Sequence, residues 1–131
     1  MSVFDRFRRS ALLRSALAGV AGFLVYGGWA WWVNRDYGDA GIRAGLVQGS
    51  YSFLLTLGST LMMEWVYRQL RNTAWPVVTT TMLTAVVLFA TAYGIHLVAG
   101  TPMILPTILP GFIFGTLYSA IYVTSLAKLS L

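Results

Sequence analysis

Four apolar runs, each close to the length of a membrane-crossing helix, take up most of this chain. They are Ala16–Val33, about Ala44–Tyr67, about Trp75–Ala99 and about Pro106–Ala127. A helix needs ~20 residues to cross the ~30 Å of hydrocarbon. Strands of a membrane barrel would be about half as long and would alternate apolar and polar residues. These runs do neither. Helices also satisfy every backbone N–H and C=O inside lipid. The expected fold is therefore all-α: a polytopic membrane protein, 1–131, forming one compact bundle of four transmembrane helices. A basic tail, 1–14, precedes it.

Composition agrees. Apolar residues make up 57% of the chain and charged residues 10%, against about 25% charged in a soluble domain. So little charge cannot cover a globular surface, whereas lipid-facing surface needs none. The net charge of +5 comes from basic residues at the ends of the apolar runs. That pattern points to membrane orientation and anionic headgroups, and away from nucleic acid. With no cysteine, disulfides, thiol catalysis and thiolate metal sites are excluded.

Orientation follows from the cations. Arg6, Arg8, Arg9 and Arg14 precede the first run, Arg68 and Arg71 lie between the second and third, and Lys128 follows the fourth. Only Arg35 and Arg43 fall on the other side, beside Asp36 and Asp39. The positive-inside rule puts both termini in the cytoplasm. The expected location is a cell membrane, in the first instance a bacterial inner membrane. Trp29, Trp31 and Trp32 at one end, and Trp65, Tyr67 and Trp75 at the other, suit the two interfaces. The bulky Trp29-Ala30-Trp31-Trp32 stretch argues against a signal-peptide cleavage site after the first run. Residues 2–13 read either as a short amphipathic helix on the inner leaflet or as a plain basic tail.

Run two carries a stripe of small and weakly polar residues: Gly41, Gly45, Gly49, Ser52, Thr56, Ser59 or Thr60, and Met63. Their spacing of three to four residues puts them on one helix face. Run four repeats the idea with Gly111, Gly115 and Ser119. Small residues let backbones approach closely in lipid, and Ser or Thr can hydrogen-bond across the contact. These faces either pack the four helices together or dock a further copy or a larger membrane protein. Pro102, Pro106 and Pro110 around the start of run four predict an irregular outer third.

Few polar positions lie within the runs. Glu64 is the sole acid there. It reads as an interfacial ion pair with Arg68 or Arg71, with a proton- or cation-coupling site as the alternative. Gln48 is expected to hydrogen-bond to a neighbouring helix or to bind substrate. His96 and Tyr93 are expected to snorkel to the interface. One His without Cys or nearby acids makes a poor metal site. Tyr118 and Tyr122, one turn apart, need partners if buried, with Thr residues of run three or Gln48 as candidates.

No nucleophile–base set, no phosphate-binding glycine loop and no cofactor motif appears. The favoured reading is a small non-enzymatic membrane subunit, an accessory or scaffold acting through its small-residue faces. One alternative is a carrier for a lipid or lipid-linked sugar, with an anionic or polyprenyl lipid as partner. Another is a proton-coupled small-solute exporter. In size, span number and basic character the chain is similar to GtrA-like proteins, associated with moving polyprenyl-linked sugars. That likeness is one of architecture, without a shared motif. Small multidrug exporters carry their working Glu in the middle of span one, where this chain has no acid.

Overall fold

The computed structural model describes residues 2–129, with all side chains in that range except those of Phe7 and Arg8. Met1, Ser130 and Leu131, which the one-domain reading includes, lie outside the described residues. So does the side chain of Arg8, expected at the headgroups. The described chain is all-helical. It comprises α1 (Val3–Val33), α2 (Asp39–Leu70), α3 (Pro76–Ala99) and α4 (Ile104–Lys128), with a short 3-10 turn, Arg35–Tyr37, between the first two. Three helices, α1, α3 and α4, are long and apolar enough to cross a membrane. α2 is the longest, at 32 residues, but its glycines, hydroxyls and Gln48 make it more polar.

α1 corrects the expectation of a separate tail or surface helix. Residues 3–33 form one helix, because Ser2 and Asp5 build a capping box at its start. Ser2 Oγ accepts from the Asp5 N–H at 3.1 Å, and Asp5 Oδ2 accepts from the Ser2 N–H at 3.3 Å. This satisfies N–H groups that a helix start otherwise leaves open. At 1.5 Å per residue the helix is about 46 Å long. That exceeds the ~30 Å of hydrocarbon that a single crossing requires.

α4 corrects a second expectation. The run is a regular helix from Ile104, not an irregular segment followed by a helix. Pro106 falls in the first turn, where N–H groups lack intrahelical partners anyway. Pro110 removes the N–H that would have bonded Pro106 O. The Trp29 indole supplies the replacement, donating from Nε1 to Pro106 O at 2.8 Å. A side chain of α1 thus repairs the backbone of α4.

α1 and α2 run antiparallel in close contact. Pairs step in opposite directions along the two helices: Gly41 against Asn34, Gly45 against Gly27, Gly49 against Phe23, and Gly19 against Phe53. α3 and α2 are also antiparallel, with Arg43 bonded to Ala99 O and Tyr51 to Leu88 O. α2 therefore touches all three other helices. An apolar cluster of Met63, Tyr67, Val123 and Leu126 closes one end. That end carries the N-terminus of α1, the α2–α3 loop and the C-terminus of α4, and with them seven of the nine cations.

The distribution of polarity is inverted. Asn34, Thr80, Thr84, His96 and Thr107 are at most 1% exposed, while Leu24, Leu46, Leu61, Val86 and Ile121 are about half exposed or more. Such an apolar exterior would aggregate in water. The three apolar helices and this exterior are compatible with a membrane protein.

Candidate functional site

The hydroxyls of the small-residue faces bond mostly to their own helices. Thr56 Oγ1 donates to Ser52 O at 2.8 Å and Ser119 Oγ to Gly115 O at 2.7 Å. The expectation of hydroxyl bonds across the contacts is therefore corrected at these two positions, because the i−4 carbonyl is within reach on the same helix. The cross-helix bonds come instead from carboxamides, an imidazole, an indole, a guanidinium and phenols.

The first of these polar centres joins two helix ends, the C-terminus of α1 and the N-terminus of α4. Asn34 is fully buried. Its Nδ2 donates to Ala30 O at 2.8 Å and to Thr107 Oγ1 at 2.7 Å, and its Oδ1 accepts from the Met103 N–H at 2.9 Å. The second centre is built on Gln48. Its Oε1 lies 2.7 Å from His96 Nε2, and His96 Nδ1 lies 2.6 Å from Thr101 Oγ1. Gly100, at φ +72°, turns the chain out of α3, and the Thr101 N–H bonds His96 O at 3.0 Å. That left-handed turn brings Thr101 back over the ring. His96 is fully buried, which corrects the expectation of an interfacial, snorkelling side chain. The ring has two polar neighbours inside, and these replace water. Tyr93, in contrast, stacks on Phe89, with ring centroids 5.9 Å apart.

Below this centre lies a cavity of about 440 Å³, a size typical of small-molecule sites. α2 supplies its floor with Gln48, Ser52, Thr56 and Ser59, α1 contributes Ala18 and Tyr26, and α4 contributes Gly111, Gly115, Tyr118 and Ser119. α1 and α4 are tied near one end by Asn34–Thr107 and Trp29–Pro106. Further along, the cavity separates them. Ala18, Phe114 and Tyr118 on its walls are exposed, so it opens sideways towards the surroundings. Among the described residues that line it, none is charged.

The expected site residues thus divide. Gln48, Ser52, Thr56, Gly111, Gly115, Tyr118 and Ser119 meet at the cavity. Gly41, Gly45 and Gly49 meet α1 within the same chain, so that stripe is already covered. Glu64 lies elsewhere, in a crevice with Tyr67, Arg68 and Leu126. The Tyr122 hydroxyl donates to Glu64 Oε1 at 2.5 Å, and Arg68 Nη2 is 3.9 Å from Oε2. This corrects the partner expected for Tyr122: the carboxylate, the stronger acceptor, takes the phenol that Thr or Gln48 was expected to hold. Tyr118 stacks on Tyr122 at 5.9 Å and is half exposed. Arg6, Arg9, Arg14, Arg68 and Arg71 are all exposed. Tyr122→Phe is expected to lower stability by only about 1–2 kcal/mol, because Glu64 is partly exposed and keeps Arg68. Thermal melting in detergent measures it, and a larger loss would make this pair a principal clamp between α2 and α4.

Asn34, Thr101, Thr107 and Trp29 did not stand out in the sequence as polar contact residues. Trp29 reads there as an interfacial aromatic, and Asn34 lies just past the end of the first apolar run.

Comparison with known protein families, curated proteins and solved structures finds no match to this chain.

Proposed function

We propose that this protein is a non-enzymatic, four-span membrane protein with both termini on the cytoplasmic side, and that it holds a lipidic ligand in the cleft between α1 and α4. The observation that carries the reading is the sideways-open, uncharged cavity, flanked by helices whose outer surfaces are apolar. A scaffold acting through Gly45 and Gly49 is less favoured, since α1 covers that face. An exporter coupled through Glu64 is less favoured too, since Glu64 is not among the cavity residues.

Two observations support α2 as the fourth span. It runs beside α1 and α3, and its Gln48 and Ser52 face inward while Leu46, Leu54 and Leu61 face outward. The orientation is supported by the cations at the closed end. The two arginines at the opposite end have structural partners there. Arg35 Nη1 donates to Trp32 O at 2.7 Å and its guanidinium stacks on the Trp32 ring, and Arg43 Nε donates to Ala99 O at 2.7 Å. Both serve carbonyls at helix C-termini, where a cation is favoured. His96, with both ring nitrogens engaged, is poorly placed to act as a base.

The chain lacks cysteine, so single-cysteine labelling tests the topology. Asn72→Cys is expected to react only from the cytoplasmic side and Asp36→Cys only from the opposite side; the reverse pattern would overturn the orientation. Native mass spectrometry after gentle extraction tests the ligand. The expected result is one lipid-mass adduct per chain. A stoichiometric second protein in place of any lipid would return the scaffold reading to first place.

A further inference from the structure

Among the described residues, the cavity holds a donor with nothing to donate to. Gln48 is 2% exposed, and its Oε1 is engaged by His96 Nε2. The Thr101 hydroxyl donates to Nδ1 in the tautomer that leaves the proton on Nε2, and that N–H donates to Oε1. This chain of donors orients the carboxamide, so its NH₂ points away from His96. There Nε2 is the nearest atom to a side chain built on Gly111, at 3.4 Å, and Gly111 and Gln48 both line the cavity. Among the described residues, no hydrogen-bond acceptor is recorded for Nε2. Ser52 lies one turn further along the same face. It is 7% exposed, and its hydroxyl likewise has no recorded partner among them. Residues four apart on a helix stand about 5–6 Å from each other.

The walls decide what kind of molecule brings the acceptor. Among the described residues, no charged side chain lines the cavity, so an anionic headgroup would enter without a counter-charge from them and lose its hydration. Tyr26, Leu55, Phe112 and Tyr118 offer apolar and aromatic surface instead. The opening beside Ala18 and Phe114 faces the apolar exterior, where a hydrocarbon tail would lie.

From this geometry, and resting on the lipid-binding reading above, we infer that the cavity binds an uncharged lipid through a carbonyl oxygen, which accepts from Gln48 Nε2, while its tail leaves between α1 and α4. A carbonyl of this kind comes from an isoprenoid quinone ring or from a glycerol ester.

The test uses the full chain, delipidated in detergent. It is titrated separately with a short-chain isoprenoid quinone, with diacylglycerol and with phosphatidic acid, and bound fractions are read by native mass spectrometry. A neutral probe is expected to bind one per chain and more tightly than phosphatidic acid, and whichever of the two neutral probes binds better identifies the source of the carbonyl. Gln48→Glu keeps an acceptor for His96 but removes the donor, and is expected to weaken neutral binding about tenfold or more. Ala18→Phe places a ring at the mouth from an exposed position that packing does not constrain, and is expected to abolish binding even if Gln48→Glu fails to fold. Preference for phosphatidic acid, or neutral binding untouched by Ala18→Phe, would overturn the inference and leave the lipid-binding reading standing. Binding of none of the three would remove both.

Discussion

Gly45→Leu should prevent α1 and α2 from pairing, and with it the folding of the isolated chain. A Cβ at position 45 would stand 3.0 Å from Gly27 O and 3.1 Å from Trp31 Cβ. At position 27 it would stand 2.8 Å from Gly45 O and 3.2 Å from Gly49 Cα. The neighbours are largely backbone atoms of two long helices, so no rotamer change relieves the clash. Overpacking a well-fitted core costs about 1–3 kcal/mol, and more when backbone must move. Lipid supplies no hydrophobic drive to push the helices back together, so close packing is most of what holds them. Gly27→Ala is expected to cost about 2–3 kcal/mol and Gly45→Leu to leave no monodisperse, cooperatively melting protein in detergent. Gly28→Ala is the control. Nothing lies within 4 Å of a Cβ there, and replacing a mid-helix glycine by alanine is worth up to about 1 kcal/mol. If Gly45→Leu melts like the parent protein while losing only a partner, the glycine face is an external contact and the α1–α2 packing described above is wrong.

Asn34→Ala is expected to produce the second largest loss, about 2–4 kcal/mol. Removing the carboxamide leaves the Met103 N–H without its acceptor. It also takes one of two partners from the Ala30 carbonyl, which keeps the Asn34 N–H, and from the Thr107 hydroxyl, which keeps Met103 O. Unsatisfied buried groups cost about 1–3 kcal/mol each, part of which water recovers at a helix end. The Met103 N–H lies just before α4, where the first N–H groups have no intrahelical partner, so this one side chain caps α4 and ties it to α1. Asn34→Asp keeps the acceptor for Met103 but removes the donor to Ala30 and Thr107 and buries a charge. It is expected to be no better than alanine. Melting midpoints of the three proteins in one detergent decide the matter, and an Asp variant as stable as the parent would show that the amide donor contributes little.

The contrast between Glu64 and His96 shows how legibility depends on distance along the chain. The Glu64–Arg68 pair was readable because its partners are four residues apart on one helix, a spacing that helix geometry alone makes adjacent. The Tyr122 phenol on the same carboxylate was not, being 58 positions away. From sequence alone His96 belongs at the interface, because a lone imidazole near a helix end has water as its default partner. Its actual partners are Gln48, 48 positions away, and Thr101, brought back by a left-handed turn at Gly100. The cavity shows the same limit. Its small and hydroxyl-bearing residues on α2 and α4 were readable as two faces, but which of those faces would meet a neighbour and which would stay open was not.

Helical character, the position of the apolar segments to within a few residues at most ends, and the loops that share the excess of cations were all legible in the residues alone. These are local matters: a hydrocarbon environment demands closed backbone hydrogen bonding, and run length and flanking charge express it directly. It took the folded chain to show that residues 3–33 and 104–128 are unbroken helices, that Trp29 repairs the carbonyl left by Pro110, that Asn34 and Gln48 are buried polar centres, and that the α2 glycines are used within the chain. Apart from the unbroken α1, which a local capping box starts, each of these depends on how one helix is rotated against another. A periodic face says that a contact exists, while its partner is set by packing between segments tens of residues apart.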